Sequence, residues 1–229
     1  MMVDAVCEAP EVVIDGLDEI EIENTSIDEI DAENVNLIFI GIDESVSMRP
    51  YVSDMMSALT NFKNSIMESK EADQILIARA DFNNVIKYSG YKRIENFDTD
   101  YVTDGMTSLY DVIVEGTDKL LEYRKFLKDS GMRVKAVFAI FSDGEDVGSK
   151  NTHSRAKKAI NELNNAEITT AYMCFGNTSK SEAKSLGFRN ILEISSSASD
   201  LRKAFDCLSK SVIESSKSVV ADKDDFFAV

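Results

Sequence analysis

Leu37-Ile38-Phe39-Ile40-Gly41-Ile42-Asp43-Glu44-Ser45-Val46-Ser47 is the stretch on which the reading of the fold turns. Its first half is a run of branched and aromatic apolar residues. Such a run reads as a strand covered on both faces, and strands of that kind lie inside parallel sheets. The second half changes character at once, with a carboxylate and two hydroxyls at alternate positions: Asp43, Ser45 and Ser47. In open α/β sheets, ligands bind just beyond the carboxyl ends of the strands, where this polar half falls. One Asp and two Ser, with no basic residue beside them in the chain, favour a hard cation over an anion.

Outward from that strand, placed at Val35 to Ile42, helical and strand patterns alternate. Met55, Leu59, Phe62 and Ile66 recur at helical spacing within Pro50 to Ser69. Gln74 to Phe82 reads as a second strand. Val85 to Tyr88 and Tyr91 to Ile94 read as an antiparallel neighbour interrupted at Gly90, entered by a tight Asn83-Asn84 turn. A polar loop from Asn96 to Met106 precedes a helix that Thr107 or Ser108 could cap and that runs to about Lys128. Val134 to Phe141, Ile168 to Phe175 and Asn190 to Ile194 are further strands. Helices are expected over Thr152 to Asn164, Ser179 to Leu186 and Ala198 to about Val219. The expectation is a doubly wound α/β domain: a mostly parallel six-stranded sheet flanked by helices, with one antiparallel edge strand.

The organisation is therefore an acidic arm at 1–34, a domain at 35–219 and an acidic, aromatic tail at 220–229. The arm has no Lys or Arg, the first basic residue being Arg49, yet Ile and Val recur through it. It reads either as a solvated tail or as an arm that docks its aliphatic side chains. The tail pair Phe226-Phe227 reads either as a frayed terminus or as a plug for a neighbour's groove. Net charge is −16, from 41 acidic and 25 basic residues. That surface repels phosphates and anionic lipid, so nucleic acid and membrane are not expected partners; divalent cations and basic protein surfaces suit it better. Cys7, Cys174 and Cys207 are scattered, no signal peptide is legible and no apolar run reaches membrane-span length, so a cytoplasmic protein is expected.

Three loops on the expected ligand-binding edge carry unusual chemistry. The first holds Asp43, Ser45 and Ser47, the second Asp104-Gly105-Met106-Thr107-Ser108, the third Ser142-Asp143-Gly144-Glu145-Asp146. Together they offer carboxylates and hydroxyls without thiol or imidazole. That oxygen-only set suits Mg²⁺, Mn²⁺ or Ca²⁺ and is poor for zinc.

These motifs resemble the metal-ion-dependent adhesion site of von Willebrand factor type A (vWA) domains: Asp-x-Ser-x-Ser after the first strand, a Thr in a Gly-rich loop, and an Asp in a Ser-Asp-Gly turn. The resemblance covers roughly residues 35 to 215, and it implies metal ligation by Asp43, Ser45, Ser47, Thr107 and Asp143. One departure is visible, since the family's usual Gly-Gly-Thr stands here as Gly105-Met106-Thr107, a less free backbone. The chain also looks like bacterial cytosolic vWA proteins of the tellurite-resistance-associated type, which serve as scaffolds. The resemblance implies that the carboxylates act partly through water, so that a partner's Asp or Glu completes the metal shell. Ser108, Ser142, Glu145 and Asp146 read as helix-capping and turn-closing residues. Asp104 either bears on the ion indirectly or starts a turn. Met48, Tyr51, Met106 and Tyr110 form either an apolar rim for a partner or part of the core. His153, the only histidine, opens a polar helix and is expected at the surface.

The function expected is a metal-dependent protein-binding module, not an enzyme. A metal-dependent phosphohydrolase is the first rival. Against it, position 45 is Ser rather than a second Asp, no Lys cradles a phosphate nearby, and His153 is badly placed for a Ser/His/Asp set. The second rival is a structural subunit that self-associates through the arm and the aromatic tail.

Overall fold

The computed structural model describes residues 33–70, 72–144, 146–175, 179–194, 198–217 and 226–227. The arm up to residue 32 with Cys7, Glu145, and tail residues 218–225 and 228–229 lie outside the described residues.

Side-chain alternation carries strand β1 (Asn34–Asp43) through the middle of the sheet. Leu37 and Phe39 face one core, and Ile38, Ile40 and Ile42 face the other. After β1 come a 3-10 turn (Val46–Tyr51) and helix α1 (Val52–Met67), so Pro50 sits in the turn that leads into the helix. Then follow β2 (Ile75–Phe82), β3 (Ile86–Tyr88), β4 (Lys92–Arg93), α2 (Leu109–Asp129), β5 (Arg133–Ser142), α3 (His153–Asn165), β6 (Thr169–Phe175), α4 (Ser179–Leu186), β7 (Asn190–Ile194) and α5 (Ala198–Lys217).

The strand order is β3-β2-β1-β5-β6-β7, with β4 also paired to β2. β1, β2, β5, β6 and β7 run parallel; β3 and β4 are antiparallel to β2. This is the doubly wound, mostly parallel sheet expected. It has seven strands because the interrupted edge strand divides into two around Gly90.

From β1 the chain winds to β2 on one side and later crosses to β5 on the other. That reversal opens a crevice between the carboxyl ends of β1 and β5, the usual ligand position in such sheets. The register sets Ile42 opposite Phe141, which brings Asp43 beside the start of the Ser142-Asp143-Gly144 turn.

Helices α2, α3 and α4 cover one face, and α1 and α5 cover the other. Each layer is keyed by an aromatic stack on a central strand. Phe39 lies on Phe138 at 4.8 Å between ring centroids, and Phe141 on Phe205 at 4.2 Å. Gly116 lets α2 rest directly on the Phe39 ring: a Cβ there would lie 2.7 Å from Phe39 Cε1.

Phe226 is neither frayed nor offered to a neighbour. It is buried in the α1/α5 core, and its N–H donates to Asn190 Oδ1 at 3.1 Å. The thiol of Cys207 donates to the carbonyl of Phe227 at 3.6 Å. Among the described residues, no helix is long and apolar enough to cross a membrane.

Candidate metal centre

Asp43 ends β1 and is fully buried. Its Oδ1 accepts the Ser45 N–H at 2.8 Å, the short-range turn that an Asp two residues upstream makes readily. Its Oδ2 accepts the Ser142 hydroxyl at 2.6 Å. Ser45 Oγ and Ser47 Oγ are 2.9 Å apart, and Ser47 Oγ donates to Asp143 Oδ1 at 3.0 Å. Asp43, Ser45, Ser47 and Asp143 are thus joined in one hydrogen-bonded chain. It starts in the interior and reaches solvent at the exposed Ser47 and half-buried Asp143.

Backbone bonds tie the three loops together. Val46 N–H donates to the Gly105 carbonyl at 3.2 Å, and Asp104 N–H to the Glu44 carbonyl at 2.7 Å. The N–H groups of Val147 and Gly148 both donate to the Thr107 carbonyl, at 3.0 and 2.9 Å. Thr107 is buried at this junction. Among the described residues, no hydrogen bond joins its hydroxyl to the other four residues.

Gly105 adopts φ +71°, and a side chain there would collide with Asn84 Oδ1. The Asn84 side chain also accepts the Met106 N–H. Met106 itself needs no left-handed backbone: Glu167 is the only non-glycine at positive φ among the described residues. Replacement of the second glycine by Met therefore leaves this loop unstrained.

Burial pushes the Asp43 carboxyl up to about 6, although the hydrogen bonds from Ser142 and Ser45 pull the other way. Burial also raises Asp143, opposed by its bond from Ser47. Neither carboxylate forms an ion pair among the described residues. Asp81 offers the contrast. Burial lifts it to about 6 as well, but the buried Arg79 guanidinium donates to it at 2.8 Å.

A buried carboxylate with hydroxyls on its oxygens and no basic partner is what a divalent cation would complement. The residues fit such an ion. Among the described residues there is no group of three or more His, Cys, Asp or Glu placed to hold a metal. The donors are two carboxylates plus hydroxyls, all oxygen, and hard cations accept them.

Two supporting residues escaped the sequence reading. Ser142, expected only to close a turn, does accept the Gly144 N–H at 3.2 Å, but its hydroxyl also holds Asp43. Tyr101, from the polar loop, donates to the Asp43 carbonyl at 2.5 Å. No local pattern marks either residue; only the fold brings them there. Ser142→Ala should destabilise the protein by about 1–2 kcal/mol, because it strips one bond from a buried carboxylate. Chemical denaturation at neutral pH measures this, and an unchanged midpoint would contradict it.

The helix cap expected from Thr107 or Ser108 comes from elsewhere. Ser108 occupies the cap position without a side-chain bond, and Asp146 Oδ1 accepts the Tyr110 N–H at 3.1 Å. Asp111 returns the favour by accepting the N–H groups of Lys150 and Asn151. Asp104 starts a turn, accepting the Gly105 N–H at 2.8 Å. Met48 is core, Tyr51 packs on Phe175, and the Tyr110 hydroxyl donates to Glu182; Met106 alone of the four is exposed. His153 is half-buried, with Nε2 2.7 Å from Ser185 Oγ and its ring edge-on to Tyr110.

No family model and no curated protein matches the chain. Solved structures match it in fold at low identity. The pilus adhesin SpaC of Lactobacillus rhamnosus GG, in its open conformation, superposes with a TM-score of 0.62 at 11% identity. That match covers 80% of this chain and 30% of SpaC, so the chain spans under a third of the adhesin's length. The vWF domain of the type V pili tip protein Mfa5 of Porphyromonas gingivalis gives 0.55 at 8% identity, covering 78% of this chain and 95% of that one. The VWA domain of SpRpn10 gives 0.52 at 12%, covering 76% and 94%. The fold is that of a vWA-like domain.

Proposed function

We propose that this chain is a protein-binding module whose binding face centres on a divalent cation, and that it is not an enzyme. The observation that carries the reading is the hydrogen-bonded chain Asp43–Ser45–Ser47–Asp143 at the sheet's switch point. It begins at a buried carboxylate without a basic partner and ends at the surface. Asp43, Ser45, Ser47 and Asp143 would hold the ion, with Thr107 entering from the adjoining loop; Mg²⁺ is the favoured ion, Mn²⁺ or Ca²⁺ the substitutes. When bound, the ion supplies a positive centre that accepts one further oxygen ligand.

The chain's own residues set how that centre is presented. Ser142 and Tyr101 fix Asp43 from behind, and the buried Ser45 closes the inner side. Access is left at Ser47 and Asp143, where a partner's Asp or Glu side chain can arrive. Two carboxylates balance a divalent charge only when both bear on it directly, and the three hydroxyls add none, which favours an anionic partner group. Cys174 lies beside Ser142 in the sheet, but burial pushes its thiol up to about 11, and Lys87 reaches Glu44 rather than the cluster. Among the described residues no thiolate or amine is bonded to the four residues, and that supports binding over hydrolysis. Its fold neighbours range from pilus adhesins to SpRpn10, so the reading rests on the site. A scaffold role inside the cell, as in the tellurite-resistance-associated class, is our preferred setting.

Thermal unfolding tests this. Mg²⁺ or Mn²⁺ at a hundredfold excess over Kd should raise the midpoint of the EDTA-treated protein by roughly 5 °C. Asp43→Ala should remove the rise. A midpoint indifferent to both ions would overturn the proposal.

A further inference from the structure

The rim of the candidate centre is apolar. Seven large hydrophobic residues are exposed among the described residues. Two of them, Met56 and Met67, lie on α1. The other five lie on the loops at the carboxyl edge: Val46 at 44% exposure, Val85 at 63%, Val102 at 61%, Met106 at 48% and Val147 at 67%. Isolated exposed aliphatics are ordinary, but a contiguous set marks an interaction surface.

Hydrogen bonds bring the loops that carry these residues together. Val46 bonds through its N–H to Gly105, the neighbour of Met106. Val147 bonds to the carbonyl of Thr107, the other neighbour of Met106. Asn84, next to Val85, receives the Met106 N–H. Val102 follows Tyr101, which is fastened to Asp43. The position a Gly148 Cβ would take is 3.6 Å from Met106 Cβ, so Gly148 keeps that corner low. Val46 stands between Ser45 and Ser47, and Met106 directly precedes Thr107.

The occupant follows from the chemistry of centre and collar together. At the centre, the two carboxylates are the only charged donors and the hydroxyls of Ser45, Ser47 and Thr107 add none, so one further anionic oxygen is what the outer side of the centre favours. Around it, aliphatic groups gain by burial against apolar surface, roughly 25 cal/mol per Å². A bare carboxylate or a polar acidic strand leaves the collar wet.

We propose that this face docks a protein segment in which a single Asp or Glu is flanked by bulky apolar side chains. The acid completes the cation's shell, and the flanks seat on Val46, Met106 and Val147, with Val85 and Val102 at the margins. Met106, unbranched and adaptable, is the contact that moulds to the flank. The inference rests on the metal-centred reading above and adds the residues that choose the partner.

The test uses the full chain and phage-displayed random peptides carrying a central Asp or Glu, selected in Mg²⁺. Enriched peptides should carry Leu, Ile, Phe or Met beside the acid. The best peptide should bind at least tenfold more weakly to the uncharged variant Met106→Ser/Val147→Ser, while the Mg²⁺-induced rise in unfolding midpoint stays at the wild-type value. Peptides enriched for the acid with polar flanks, or equal binding to the double variant, would overturn the collar alone. Binding that survives EDTA and Asp43→Asn would instead overturn the metal-centred reading beneath it.

Discussion

Asp43→Asn should make the metal-free protein more stable while abolishing its response to divalent cations. The carboxylate is fully buried, lacks a basic partner among the described residues, and is pushed up to about 6 by burial. The sign follows directly. A carboxyl whose folded value is raised binds its proton more tightly in the native state. The stability it contributes is present in full below the unfolded value of roughly 3.9 and is lost as pH rises through about 6. At pH 7 the charged form therefore destabilises the metal-free fold, by about 3 kcal/mol at most for a displacement of this size. Asn keeps the shape, accepts the Ser45 N–H and can donate to Ser142 Oγ. Denaturant titrations in EDTA should show the wild type gaining stability between pH 7 and pH 4 relative to the variant. At pH 7 the variant should be the more stable. In Mg²⁺ the order should reverse, because only the wild type gains from the ion. A variant less stable than wild type in EDTA would refute the claim that Asp43 waits for a cation.

The second large effect lies beneath the centre. Gly116→Val should cost about 3 kcal/mol, since overpacking a filled core forces strained rotamers or a shifted backbone. The Phe39 ring occupies the space a Cβ would need, and its stacking on Phe138 at an interplanar angle of 2° leaves it nowhere to turn. Relief must come from α2 lifting off the sheet. That helix begins at Leu109, two residues after Thr107. The variant should therefore also show a smaller Mg²⁺-induced rise in midpoint. Gly144→Ala is the control. No atom lies within 4 Å of its Cβ position, so stability should stay within about 0.5 kcal/mol of wild type. Equal behaviour of the two variants would show that α2 does not rest on Phe39 as described.

Much of this was legible in the chain itself, for physical reasons that differ by element. β1 declares itself because both its faces are buried, and every residue from Leu37 to Ile42 is apolar or glycine. The helices declare themselves by their apolar stripes, as in Met55, Leu59, Phe62 and Ile66. The edge of the sheet was blurred, since β3 and β4 are short, partly exposed and separated by Gly90. Asp43, Ser45 and Ser47 were legible as candidate ligands because their spacing is local, and Asp143 because a Ser-Asp-Gly turn follows a buried strand. What holds them was hidden. Ser142 and Tyr101 reach Asp43 from 99 and 58 residues away. Asp146 caps α2 from 36 residues further on, displacing the expected local cap. Phe226 looked like a frayed end by its place in the chain. Its destination, a slot in the α1/α5 core beside Asn190, exists only once β7 and α5 have packed.

We propose that these loops assemble a site for one divalent cation at the switch point between β1 and β5. Calorimetric titration of Mn²⁺ into the EDTA-stripped, dialysed protein at pH 7 tests it most directly. The expected result is one ion per chain, with binding abolished in Asp43→Asn and in Asp143→Asn and weakened in Thr107→Val. Absence of binding to the wild type, or undiminished binding to Asp43→Asn, would contradict it.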